Sequence, residues 1–187
     1  HCVHYMDLVR YFVAPVKHVT VFRNELAPGK LLLHVHLGFA NGAIGSVILG
    51  TLQSRGTPME RLQVMGDQRR VEVNGVIDVQ YFRNPPFKAD DPLATLADGI
   101  DTLSWKPNFT AAANEDFKGY NALLGAFFAV LDGQTTDLPT INDGVQGMLV
   151  LEAMVAASAQ PGVTVKVEAS AMARAVRRNR HHRGAAG

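Results

Sequence analysis

The sequence predicts an α+β domain in which an open-faced, mainly antiparallel β-sheet carries helices on one side. Short runs of alternating apolar and polar residues fill the first half of the chain and are separated by turn signals. Strands joined by such short turns pair antiparallel, because a parallel pair needs a longer crossover. The second half carries two helical stripes and one closing strand, which predicts helices segregated to one side of the sheet.

The first elements are a helix and three strands. The opening amphipathic helix is stopped by Pro15, and the alternation over Lys17–Arg23 predicts the first strand. The next strand, Leu31–Ala40, has an apolar face and a mixed face. The apolar face holds Leu31, Leu33, Val35, Leu37 and Phe39, and the mixed face holds Leu32, His34, His36 and Gly38. Asn41-Gly42 is a hairpin turn signal, so Ala43–Leu52 returns as a strand.

A second group of strands follows. Met59–Met65 and Arg69–Val73 are predicted to pair across Gly66-Asp67, and Val76–Phe82 adds a further strand. Residues 84–110 are rich in Pro and Asp and have weak periodicity. They predict an ordered loop with one edge strand near Leu103–Trp105.

Two helices and a strand complete the domain. The first helix is predicted over Asp116–Asp132 and ends at Gly133. Its apolar stripe consists of Tyr120, Leu123, Leu124, Phe127 and Leu131. Thr140 is the predicted N-cap of the second helix, with Asp143 completing a capping box, and Pro161-Gly162 ends that helix. Val163–Val167 is the final strand.

Composition excludes several classes of protein. Apolar residues make up 47% and charged residues 19% of the 187 residues, which is typical of a globular chain rather than a disordered one. The net charge of +1 gives no reason to expect an acidic partner. No apolar run approaches the roughly 18 residues that span a membrane, so we expect no membrane association. With Cys2 as the only cysteine, we expect a reducing, cytoplasmic location.

The C-terminal segment differs in composition from the rest. We expect residues 1–167 to form one substrate-binding and dimerisation domain, and residues 168–187 to form a basic, flexible tail. The basic residues of the tail are Arg174, Arg177, Arg178, Arg180 and Arg183. Because no aromatic residues or nucleic-acid motifs accompany them, we expect no nucleic-acid partner.

Four segments carry a family resemblance. His4–Leu8 with Arg10-Tyr11 resembles the H-x-x-D-L-x-R-W segment of the Gfo/Idh/MocA family of NAD(P)-dependent sugar and polyol oxidoreductases, and Pro58–Gly66 resembles its E-x-L-x-V-x-G unit. Asp116–Gly133 resembles its Y-x-x-E-L-x-x-F-x-x-A-I-x-x-G helix, although Leu123-Leu124 replaces the E-L pair. Asp143–Val165 resembles its closing D-G-x-x-x-L-x-x-x-E-A block. The four segments follow in the family's order and spacing.

The resemblance implies a two-domain oxidoreductase of which only the C-terminal α+β half is present. The usual N-terminal half is a Rossmann domain that binds NAD or NADP and carries an E-K-P lysine. No Gly-x-Gly-x-x-Gly occurs in the sequence, and the nearest glycine-rich run, Gly38–Gly45, is predicted to be a hairpin turn. We therefore expect no cofactor-binding residues in this chain and no activity from it alone.

His4 is the candidate catalytic residue. Oxidation of an alcohol by hydride transfer requires a base near neutrality that accepts the hydroxyl proton. At a helix N-terminus the macrodipole favours the neutral imidazole, which can accept that proton. The family's D-x-x-x-H motif matches its histidine to His4 and would place its aspartate just before His1. The structural alternative is that His4 caps the helix or packs against the sheet.

Other candidate residues have competing interpretations. The resemblance implies that His1 and Tyr120 bind substrate, but Tyr120 also lies on an apolar stripe, which favours packing. Asp7 could orient His4 or, more simply, pair with Arg10 on the same helix face. His34 and His36 share one strand face and could chelate Zn²⁺. Because no third ligand lies nearby in sequence, we expect no metal site, and a polar patch or dimer contact is the simpler interpretation.

Two functions remain open. The first is the substrate-side domain of an NAD(P)-dependent dehydrogenase that acts on a sugar, a polyol or a similar hydroxylated molecule. A homodimer or homotetramer would then form through the open sheet face, since exposed apolar faces find partners. The alternative is a non-catalytic ligand-binding or dimerisation module.

Overall fold

The computed structural model describes residues 2–52, 60–75, 78–83, 95–96, 102–105, 119–135 and 137–168. The fold is α+β, as the sequence predicts. The chain divides into two compact units, which are described separately. The first unit comprises residues 1–53 and 139–187, and the second comprises residues 54–138.

The described residues form three helices and nine strands. The helices are α1 (Cys2–Phe12), α2 (Tyr120–Leu131) and α3 (Ile141–Ser158). The strands are β1 (Val16–Ala27), β2 (Lys30–Phe39), β3 (Ile44–Gly50), β4 (Arg61–Gly66), β5 (Arg69–Asn74), β6 (Asp78–Arg83), β7 (Thr95–Leu96), β8 (Thr102–Trp105) and β9 (Thr164–Lys166).

The first unit contains a four-stranded antiparallel sheet in the order β3-β2-β1-β9. β1 is longer than the predicted strand at its C-terminal end, because its pairing with β2 continues to Ala27 opposite Lys30. Gly29, with φ +76°, allows the chain to reverse there, since residues with a side chain rarely adopt that φ. β1 and β2 therefore form a long hairpin that precedes the predicted one.

The hairpin predicted at Asn41-Gly42 is confirmed. The Asn41 side chain accepts a 3.1 Å hydrogen bond from the Ala43 amide and donates a 3.2 Å hydrogen bond to the Val13 carbonyl. Gly42 has φ +86°. Asn41 thereby ties the β2–β3 turn to the segment that follows α1.

Helices cover one face of this sheet, as predicted. Side chains alternate along β2, so that Val35 and Leu37 are buried whereas His34 and His36 are exposed. α3 packs on β1 and β9, and α1 packs on α3. The buried core consists of Met6, Val16, Val19, Val21, Val35, Leu37, Phe39, Val150, Ala153, Met154 and Ala157.

The second unit contains a separate five-stranded antiparallel sheet in the order β4-β5-β6-β8-β7. The predicted edge strand near Leu103 is β8, and its edge position was wrong because β7 pairs outside it. Thr102 and Leu103 are accordingly buried. The rest of the loop predicted over residues 84–110 lies outside the described residues, apart from β7.

The turn between β4 and β5 is shifted by one residue from its prediction. Gly66 remains in the ladder opposite Arg69, so Asp67 and Gln68 form the turn. Gln68 has φ 52°, a left-handed conformation that glycine usually supplies. Met59 and Val76, which the sequence assigned to strands, lie outside the described residues.

α2 begins after Gly119, which has φ +74°, and is followed by Gly133 with φ +79°. The predicted end at Gly133 is confirmed, whereas residues 116–118 lie outside the described part. None of the residues of α2 is buried. The predicted apolar stripe, from Tyr120 to Leu131, is therefore exposed along its length.

Candidate functional site

α1 presents His4 to solvent. Successive residues of a helix are about 100° apart around its axis, so His4 and Met6 project in nearly opposite directions. Met6 is 0% exposed and belongs to the core of the first unit, whereas His4 is exposed. Burial of Met6 thus fixes the rotation of α1 and turns the imidazole outward.

His4 begins an exposed row on α1. Leu8 and Tyr11 follow it at the i+4 and i+7 positions, which share a helix face, and both are exposed. The Tyr11 ring makes an edge-to-face contact with Phe12, with 5.2 Å between the ring centroids. The imidazole is therefore at one end of an accessible, partly aromatic surface.

Close packing holds α1 against α3. Gly147 is buried on α3, and a Cβ added there would lie 4.0 Å from Cγ2 of Val3. That is an ordinary van der Waals distance, so α1 and α3 leave room for a methyl group but not for a large side chain beside the turn that carries His4. A small residue on α3 thus contributes to the placement of the candidate catalytic residue.

A cluster of charged residues connects the C-terminal part of α1 to the first turn of α3. The Arg10 side chain is only 12% exposed, and its Nη1 donates a 2.9 Å hydrogen bond to the carbonyl oxygen of Asp143. Nη1 also lies 3.5 Å from Oδ1 of Asp7, and Nη2 lies 3.7 Å from Oδ1 of Asp143. The predicted pairing of Asp7 with Arg10 is confirmed.

The capping box predicted at the start of α3 is also confirmed. The Asp143 amide donates to Oγ1 of Thr140 at 3.4 Å, and the Thr140 amide donates to Oδ2 of Asp143 at 2.8 Å. The Thr140 hydroxyl donates to the same carboxylate oxygen at 2.6 Å. These hydrogen bonds from Thr140, with the charge of Arg10 as a smaller cause, lower the pKa of Asp143 below its ordinary value.

The predicted site residues lie in different units or outside the described residues. Tyr120 is exposed at the start of α2, in the second unit, whereas His4 belongs to the first unit. The exposure of Tyr120 gives no support to the packing interpretation. His1 lies outside the described residues.

His34 and His36 lie side by side on the exposed face of the first sheet. Their ring centroids are 4.6 Å apart, and Phe22 makes an edge-to-face contact with His36 at 5.7 Å. Within the described parts of the chain, no group of three His, Cys, Asp or Glu side chains could hold a metal ion. Residues 38–45, the nearest glycine-rich run, form the end of β2, a turn and the start of β3, as predicted.

Two features of this region escaped the sequence-based predictions. The link between Arg10 and Asp143 spans 133 residues, and no local pattern signals it. His18 lies opposite Gly38 and joins the exposed face that carries the other two histidines. The sequence alone could have placed His18 there only if the register between β1 and β2 had been known.

None of the helices in the described ranges is long and apolar enough to cross a membrane.

Comparison with protein families gives one match. The model of the oxidoreductase family, C-terminal alpha/beta domain, matches residues 1–167. This range contains all of the secondary structure that the structure describes. No curated protein matches the chain.

Solved structures share the fold. Levoglucosan dehydrogenase in complex with NADH and L-sorbose aligns with a TM-score of 0.65 and 20% identity, over 89% of this chain and 48% of that chain. An oxidoreductase from Agrobacterium radiobacter in complex with NAD+, L-tartaric acid and magnesium aligns with a TM-score of 0.64 and 14% identity, over 88% and 47%. The WlbA dehydrogenase from Bordetella pertussis in complex with NADH and UDP-GlcNAcA aligns with a TM-score of 0.62 and 18% identity, over 90% and 46%. The chain thus spans about half the length of these proteins.

Proposed function

This chain belongs to the Gfo/Idh/MocA oxidoreductase family as a C-terminal α/β domain, and from this premise we propose that it is the substrate-side domain of an NAD(P)-dependent dehydrogenase. The substrate is a sugar, a polyol or a similar hydroxylated molecule. The solved structures of similar fold support this class, because they hold NAD+ or NADH together with L-sorbose, L-tartaric acid or UDP-GlcNAcA. The observation that carries the proposal is the match of the family model over residues 1–167, and the exposed imidazole of His4 supplies the candidate base.

The cofactor would be held by a nucleotide-binding half outside this chain. Gly38–Gly45, the nearest glycine-rich run, belongs to a hairpin rather than to the start of a helix, so it does not form a dinucleotide phosphate cradle. A nicotinamide, when bound, supplies the hydride acceptor or donor. The residues of this chain bind and orient the hydroxylated carbon and move its proton.

His4 accepts the proton of the substrate hydroxyl as the alcohol is oxidised and returns it in the reverse direction. A positioned general base contributes typically 10²–10⁴-fold to such a step, provided that it is held within hydrogen-bond reach. Met6, Gly147 and Arg10 supply that fixed position for α1. His1 and Tyr120 are the further residues that we propose to contact the substrate.

The proposal extends to assembly and location. No described element of the first unit covers the face of its sheet opposite the helices, and this face exposes Phe22, Leu32, Ile44 and Ile48. We propose that a second copy packs there, as a homodimer or within a homotetramer.

Cys2, the only cysteine, supports a cytoplasmic location.

The test uses the whole protein that contains this chain. We expect reduction of NAD+ or NADP+, followed by absorbance, with at least one member of a panel of sugars, polyols and hydroxy acids. His4→Gln should lower kcat by about 10²-fold or more with a smaller change in KM. Arg23→Gln, which removes an exposed charge that pairs with Glu25, serves as the control and should retain activity.

The same experiment separates the alternative function. A non-catalytic ligand-binding or dimerisation module would lack an upstream nucleotide-binding fold and would turn over no substrate in the panel. A start codon within a few residues of His1 would support that alternative and remove the catalytic role of His4. Full activity of the His4→Gln variant would overturn the role of His4 while leaving the oxidoreductase assignment in place.

A further inference from the structure

Three histidines lie along the exposed face of the first sheet. His34 and His36 are exposed neighbours on β2, with 4.6 Å between their ring centroids. Gly38 continues the same face and has no side chain, and His18 of β1 lies opposite it. The Nδ1 atom of His18 is 3.6 Å from the position that a Cβ at Gly38 would take. The imidazoles therefore form a histidine row, which consists of His18, His36 and His34.

Few charged groups lie beside the histidine row on the four strands of this sheet. Across β1 and β2, Thr20 is opposite His36 and Phe22 is opposite His34, and Lys166 of β9 is opposite His18. On β3, Ser46 is opposite His36 and Ile48 is opposite His34. Lys17 is exposed next to His18 at a bulge in β1, and Lys30 is exposed at the start of β2. Glu168, two residues beyond Lys166, is also exposed. All four strands of this sheet are described, and none of them places an Asp or a Glu on this face.

The surroundings of the histidine row fit a second copy of the chain. Phe22 is 50% exposed, Ile48 is 68% exposed and Ile44 is 89% exposed. Together they form an apolar patch, whereas single exposed apolar residues are common on protein surfaces. Three long strands spaced about 4.8 Å apart make a flat face of roughly 400 Å² in projection. Each partner of a standard interface contributes roughly 800 Å², so a second copy would have to pack over most of these three strands. The central positions hold no Lys, Arg, Asp or Glu, so two identical faces can meet there without repulsion between such charges.

We propose that the histidine row makes this self-association pH-dependent, so that acidification releases the second copy. The proposal rests on the proposed homo-oligomer and adds its regulation. Histidine is the side chain whose charge changes between about pH 5 and 8. A symmetric contact places the rows of both copies in one interface, and each copy can gain three positive charges there. The lysines near the row outnumber the one carboxylate, Glu168, so like charges then oppose one another across the contact and weaken it.

Sedimentation equilibrium of the whole protein that contains this chain, at about pH 8 and pH 5.5, tests the proposal. We expect a dimer at the higher pH and a dissociation constant larger by on the order of tenfold or more at the lower pH. Added salt should reduce the difference, because it screens repulsion between the charged faces. The triple variant His18→Gln, His34→Gln, His36→Gln should associate equally at both pH values. His4→Gln, the same substitution at an exposed histidine on α1, should keep the pH dependence of the unaltered chain.

Each contrary outcome has a separate meaning. A dimer with the same dissociation constant at both pH values overturns the regulation and leaves the proposed oligomer standing. A triple variant that still dissociates at low pH overturns the assignment to these histidines. A chain that stays monomeric at both pH values overturns the proposed oligomer and the inference with it. Circular dichroism at both pH values checks that the chain remains folded.

Discussion

Nη1 of Arg10 on α1 lies 2.9 Å from the backbone carbonyl oxygen of Asp143 in the first turn of α3. The contact joins the helix that carries His4 to the helix that forms much of the core, across 133 residues of sequence. Asp7 and the Asp143 carboxylate flank the same guanidinium. Arg10 thus links α1, which carries His4, to α3, against which α1 packs.

Arg10→Ala should destabilise the fold. The substitution leaves the Asp143 carbonyl without this charged donor, and hydrogen bonds to charged groups are worth about 2 kcal/mol. Urea unfolding of the variant should show a free energy of unfolding lower by that amount. Arg23→Ala is the control, because Arg23 and Glu25 form an exposed pair worth about 0.5 kcal/mol or less. Equal effects of the two variants would contradict the special position of Arg10.

The Asp143 carboxylate should make stability fall at acidic pH. Its pKa in the folded chain is lowered by the hydrogen bonds from Thr140, so near its ordinary pKa the unfolded chain binds more protons than the folded chain. The contribution is therefore complete above that ordinary value, 3.8, and is lost as the pH falls through the lowered pKa. Unfolding measured from about pH 6 to pH 2 should show this loss. Asp143→Asn should be less stable at pH 6 and should lose less stability on acidification.

Thr140→Ala tests the other half of the capping box. Loss of an N-cap side chain costs about 1 kcal/mol, because one amide at the helix start loses its acceptor. Thermal unfolding should show a lower Tm, and the helical circular dichroism of the folded state should be retained. Thr140→Ser keeps the hydroxyl and is the matched control. A Ser variant as unstable as the Ala variant would mean that the methyl group, rather than the cap, is responsible.

Local patterns predicted much of this fold, and long-range register accounts for what they missed. Asn41-Gly42 and the Thr140–Asp143 box are signals that a few neighbouring residues specify, and both are confirmed. The inner position of β8 depends on β7 pairing outside it, which no short pattern encodes. The assignment of His4 rested on family resemblance, because an exposed histidine on a helix has many ordinary roles. Its catalytic role stays a prediction.

Gly147 gives a steric test of how α1 is held. A Cβ at this position would make an ordinary 4.0 Å contact with Val3, and alanine is the better helix former by about 1 kcal/mol. Gly147→Ala should therefore be tolerated or stabilising in urea unfolding. Gly147→Leu should cost about 1–3 kcal/mol, because the larger side chain must push α1 away or distort the core. A harmless leucine would show that the two helices are not closely packed there.

Ile48 tests which surface carries the proposed self-association. It lies opposite His34 at the centre of the exposed sheet face, so Ile48→Arg places a charge where two identical faces would meet. Sedimentation at about pH 8 should then find a monomer at concentrations where the unaltered chain is a dimer. Val155→Arg is the control, because Val155 is 71% exposed on α3, on the helix side of the unit. If Val155→Arg dissociates the dimer and Ile48→Arg does not, the interface lies on the helix side of the unit and does not include the histidine row.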